Sequence, residues 1–151
     1  QGTLWLGTYF GGVNYFNPEY EIYTRYSYSS NEKKGLSNPV VGRTIEDRDG
    51  NLWIGTEGGG LNYYNRRTRE FKWYRPQEGR NSISHNNVKA LYYDADKEII
   101  WIGTHLGGLN KLDIRSGHFT HYRMEEGNPA TLPSDIIRDI IPYKSLLSHA
   151  A

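Results

Sequence analysis

The chain has 151 residues and a mass of 17.4 kDa, a length that fits one domain and leaves no room for two large ones. Its 18 Lys and Arg against 17 Asp and Glu give a net charge of +1, which excludes a basic nucleic-acid footprint and a polyacidic tail. With no Cys there is no disulfide framework, thiol nucleophile or Cys-based zinc site, and no apolar run approaches the roughly 18 residues of a membrane span.

Gln1-Gly2-Thr3 leads straight into strand-like sequence, so no signal peptide is expected there. Leu4-Trp5-Leu6-Gly7-Thr8 then reads as a strand ending at a glycine turn. It recurs as Leu52-Trp53-Ile54-Gly55-Thr56 and as Ile100-Trp101-Ile102-Gly103-Thr104, with a period of 48 residues. The register continues: Gly11-Gly12, Gly59-Gly60 and Gly107-Gly108 correspond, as do Asn14, Asn62 and Asn110, and Tyr26, Tyr74 and Tyr122. The second unit shows the plan. After the Trp strand, Glu57 to Gly60 makes a hairpin turn in which glycine supplies positive φ. Leu61 to Asn65 returns, Arg66 to Arg69 turns, and Glu70 to Arg75 forms a third strand of alternating aromatic and polar residues. A polar loop, Pro76 to Asn87, precedes a fourth strand over Val88 to Tyr93, and Asp94 to Glu98 turns into the next Trp strand. No stretch has capped helical periodicity.

Four short strands per repeat predict an all-β fold, a β-propeller of four-stranded antiparallel blades. With strands lettered A (innermost) to D, the chain runs B-C-D, A-B-C-D, A-B-C-D, A, which is 12 strands or three blades' worth. The last A strand is expected at Ile136 to Ile141. Blades fill residues 1–143, and 144–151 reads as a polar tail. A ring closes with about four to eight blades, so two edges are left open. Two copies of the chain would close a six-bladed ring, and further blades of a longer polypeptide would serve equally.

The motif Leu-Trp-Ile-Gly-Thr, two residues, Gly-Gly-Leu-Asn, an aromatic strand ending Phe-x-x-Tyr, and the turn Asp47-Arg48-Asp49-Gly50-Asn51 resembles the two-component regulator propeller repeat. The resemblance covers residues 2 to 142. It implies the periplasmic sensor region of a bacterial hybrid two-component system of the Bacteroides type, with a kinase elsewhere. It implies no cofactor.

Shared positions read as scaffold. Trp5, Trp53 and Trp101 are expected to wedge between blades, Gly55 and Gly103 to meet backbone requirements, and Asn62 and Asn110 to serve the frame. The turn 47–51 has its Gly too early for a calcium loop and no closing Glu, so its Asp and Asn are expected to cap their own backbone. His118 and His121, three apart on a strand, are expected to point to opposite faces. No metal set, acid/base pair or nucleophile elbow is visible, so no enzyme is expected. Positions that differ between units are free for function. The B–C turns carry Tyr9-Phe10, Glu57 and His105, and the inner strands carry Arg43, Lys89, Arg138 and Asp139. Rings for stacking and charged hydrogen-bonders near a channel mouth suit an oligosaccharide ligand. The same face would equally suit a protein-binding scaffold with no small ligand.

Overall fold

The structure, a computed structural model, describes residues 4–20 and 22–143. Gln1 to Thr3 and the expected tail at 144–151 lie outside the described residues. Among the described residues, eleven strands form three antiparallel sheets whose spatial order follows the sequence. The first sheet holds β1 (Leu4–Thr8), β2 (Gly12–Asn17) and β3 (Ile22–Tyr26). The second holds β4 (Val41–Glu46), β5 (Leu52–Thr56), β6 (Leu61–Asn65) and β7 (Glu70–Tyr74). The third holds β8 (Val88–Asp94), β9 (Ile99–Thr104), β10 (Leu109–Asp113) and β11 (Phe119–Tyr122). One turn of 3-10 helix, Glu32–Lys34, interrupts the first inter-sheet loop. No helix among the described residues is long and apolar enough to cross a membrane.

The repeat period becomes a repeated register. Trp5 pairs with Tyr15, Trp53 with Tyr63 and Trp101 with Lys111, so each Trp stands at the same height on its blade. The inner strands β4 and β8 lie against each other, and each shifts register near its start, after Val41 and after Val88. Glycine in the Trp strand makes this stacking possible. A Cβ on Gly55 would come within 2.6 Å of the Val88 side chain, and one on Gly103 within 2.5 Å of Ile137.

That last contact bears on the twelfth strand. Residues 136–141 are not a strand here, in contrast to the expected A strand. Ile137 nonetheless covers Gly103 as Val88 covers Gly55, and its N–H donates to Thr104 O at 3.0 Å. The segment occupies the inner-strand place of a next blade. It lacks a ladder because an inner strand pairs with the Trp strand of its own blade.

The core lies between sheets. Val13, Leu36, Leu52, Ile54, Tyr64 and Phe71 fill the first junction, with Trp5 packed against them. Trp53, Leu61, Ile83, Val88, Leu91, Ile100, Ile102 and Phe119 are among those filling the second. Trp53 is therefore 2% exposed, whereas Trp101, on the side with no following blade, is only half-buried. At the other end Leu4 and Leu6 are 52% and 43% exposed, although their repeat counterparts Leu52 and Ile54 are fully buried.

Candidate functional site

The loops that build the candidate site are tied down by the shared residues. Each B–C turn is closed by a threonine: Thr56 Oγ1 donates to Gly60 O at 2.9 Å and Thr104 Oγ1 to Gly108 O at 2.8 Å. Gly60 has φ 80°, and a Cβ there would meet Tyr74 O at 2.2 Å, so both space and conformation require glycine. The buried Asn62 amide clamps the incoming D–A loop, accepting from Ser37 N at 2.8 Å and donating to Ser37 Oγ at 2.8 Å. Asn110 does the same with Ser84, at 2.9 and 2.8 Å. These asparagines are buried because each polar atom finds a fixed partner.

The D–A loops end in a local cap that recurs with different chemistry. Asn38 Oδ1 accepts from Val40 N at 2.9 Å, His85 Nδ1 from Asn87 N at 3.0 Å, and Ser134 Oγ from Ile136 N at 3.1 Å. The middle loop is laced on both sides. Asn86 O accepts from Gly60 N at 2.7 Å, and Asn87 O from His105 N at 2.9 Å. Burial first, then the neighbouring His105 and Arg123 charges, hold the His85 imidazole below its ordinary pKa. The neutral form is the one able to accept the Asn87 N–H.

Of the eight expected site residues, three line one cavity. Lys89 and Glu57 form an ion pair, and Lys89, His105 and Arg138 line a cavity of about 340 Å³ together with Ile136. Arg43 on β4 and Asp139, both exposed, stand 4.0 Å apart as an ion pair. Tyr9 and Phe10 pack edge to face, 4.6 Å between centroids, at the exposed β1–β2 turn. They pair with each other and do not line the cavity. His118 and His121 are exposed, and His121 Nε2 meets Ser82 O at 2.7 Å. Sequence reasoning missed His85 and the two serines. They lie inside loops whose spacing from the next inner strand, not from the Trp, keeps them in register.

At the opposite end of the blades Asp47 caps the turn 47–51 as expected, whereas Asn51 Oδ1 accepts from Arg66 N at 3.1 Å instead of capping its own turn. Asp47 Oδ1 accepts from Asp49 N and Asn51 N at 3.0 and 2.9 Å. Its Oδ2 accepts from Trp53 Nε1 at 3.0 Å, so the turn also fixes the wedge. Trp5 Nε1 is buried without an acceptor among the described residues.

Sheets of this plan, stacked on their Trp faces around inner strands, define a segment of a β-propeller. Residues 35–58 and 82–105 match the family described as "Two component regulator propeller". No curated protein matches the chain. Among solved structures, the chain is 31% identical to the extracellular domain of the hybrid two component system BT3049 from B. thetaiotaomicron, with a TM-score of 0.75 over 90% of this chain. It also resembles the extracellular domain of BT4673 from the same organism, at 25% identity and a TM-score of 0.71 over 93% of this chain. The chain spans only 18% and 19% of those two structures.

Proposed function

We propose that this chain contributes to a periplasmic or extracellular sensor propeller of a hybrid two-component regulator. It recognises an oligosaccharide at the mouth of the channel, and a kinase outside the chain receives the signal. The observation that carries this reading is the cavity lined by Lys89, His105 and Arg138, built at positions that vary on a frame that otherwise repeats. The likeness to extracellular domains of hybrid two-component systems supports the cellular setting. We also infer that the open faces are covered by blades, from a second copy closing a six-bladed ring or from further blades of a longer polypeptide.

A panel of oligosaccharides, screened by thermal shift, tests the ligand. A ligand that binds only the folded state raises the melting temperature by mass action. The expected result is that a panel member does so and that Ala at Arg43, Lys89 or His105 removes the shift while leaving the unliganded melting temperature nearly unchanged. No shift with any glycan at millimolar concentration favours the second reading, a protein-binding scaffold. That reading draws on the exposed apolar tips of the B–C turns, Tyr9, Phe10 and Leu106.

A further inference from the structure

The two inter-sheet junctions are built from corresponding residues, yet they end differently at the side of the C–D turns. In the second junction Leu112 lies in the core, Ile114 packs against it, and Asn81 exchanges two hydrogen bonds with the Phe119 backbone at 2.6 and 2.8 Å. In the first junction the 48-residue repeat places Tyr64 for Leu112, Arg66 for Ile114 and Arg69 for Gly117, and counting back from the next inner strand, 47 residues apart at Val41 and Val88, places Lys34 for Asn81. Each exchange adds a ring or a cation, and the place that is filled in one junction is a cavity of about 600 Å³ in the other.

Its walls are aromatic, with Trp5, Tyr26 and Tyr64 among them, and its charges are Lys34, Arg66 and Arg69, with no carboxylate among the described residues lining it. The Arg66 guanidinium lies 5.4 Å from the Trp5 ring centroid, and its one acidic contact, Glu46 at 3.5 Å, is an exposed pair outside the lining. Arg69 has φ 61°, in the left-handed region where a Cβ is disfavoured, and its counterpart Gly117 has φ 72°. An arginine thus occupies a turn position suited to glycine, and its side chain lines the cavity. Burial, and then the hydrogen bond with Tyr64, push the Tyr26 hydroxyl above the ordinary phenol range, so it stays a neutral hydrogen-bonding group.

We propose that this cavity is a second binding site, for a carboxylate-bearing ring such as a uronic acid unit, with the arginines taking the carboxylate and the aromatic walls stacking on the ring. Planar guanidinium groups match a carboxylate two bonds at a time, and ring faces stack on aromatic side chains. The site lies at the end of the blades away from the B–C turns and does not depend on the channel-mouth reading.

Calorimetric titration of the 151-residue chain with digalacturonate and with its neutral methyl ester tests it. The acid is expected to bind and the ester to bind at least about tenfold more weakly, the scale of a lost charge-assisted contact. Arg69→Gly restores the residue the turn favours, so its melting temperature holds or rises while affinity for the acid falls about tenfold, as it also does in Arg66→Gln. Lys89→Gln leaves this binding unchanged. Equal binding of acid and ester, absence of binding at millimolar acid, or full affinity in Arg69→Gly overturns the proposal. Loss confined to Lys89→Gln also overturns it, by moving the uronate to the channel mouth.

Discussion

Trp5, Trp53 and Trp101 hold one position of the repeat, yet only Trp53 is enclosed: its junction is filled, Trp101 has no sheet after it among the described residues, and Trp5, though followed by a sheet, borders the cavity of the first junction. Trp53→Ala is therefore expected to cost about 3–5 kcal/mol, the usual range for an aromatic removed from a filled core. The cost includes an Asp47 carboxylate left without its indole donor. Trp101→Ala should cost well under half as much, since part of that ring already faces solvent. Equilibrium denaturation of both variants checks this, and equal losses would mean that the third blade's outer side is covered in solution. The identity of the wedge is legible in the sequence because Trp recurs at a fixed period. Its burial is not, since burial depends on a neighbouring sheet and not on the residue itself. The same limit hid the arginines of the first junction: in sequence Arg66 and Arg69 are turn residues, and only the apposed Trp5 and Tyr26 make them the wall of a cavity.

At the scale of the element, strands were legible because alternation, glycine turns and period agree, and the eleven that form fall where the repeats place them. Ile136 to Ile141 has strand composition, but composition supplies only one side of a ladder, so the segment takes the position without the hydrogen bonds. The D–A loops were legible only as variable, because their cap uses Asn38, His85 and Ser134 interchangeably as acceptors. The histidine alone among these makes its loop responsive to pH. Its pKa is lowered in the fold, so the unfolded chain takes up the proton more readily. Stability is then complete above the ordinary value of 6.5 and falls as pH drops below 6.5 through the lower folded value. Denaturant midpoints measured from pH 8 down to pH 5 should show this loss, and His85→Asn, which keeps the cap as Asn38 does, should remove the part due to this residue. An unchanged pH profile in His85→Asn would mean that protonation elsewhere governs acid stability.

At the scale of the molecule, the two open faces are the two halves of one junction. The Trp101 side, with Ile137 laid over Gly103, corresponds to the side that Trp5 and Trp53 present to the sheet after them. The exposed Leu4 and Leu6 correspond to Leu52 and Ile54, which receive such a face inside the chain. A head-to-tail contact between copies would thus repeat an arrangement the chain already makes twice, and it would give residues 136–141 the β1 partner they lack. Two copies supply six blades, within the usual range of about four to eight, whereas three would supply nine. The expected outcome for the 151-residue chain alone is a species of twice 17.4 kDa in sedimentation or light scattering. Leu6→Glu, which replaces an exposed side chain of the single chain, should return it to a folded monomer. A well-folded monomer before any substitution would sink the closed dimer and assign both faces to further blades of a longer polypeptide, consistent with the 18% of the BT3049 domain that the chain spans.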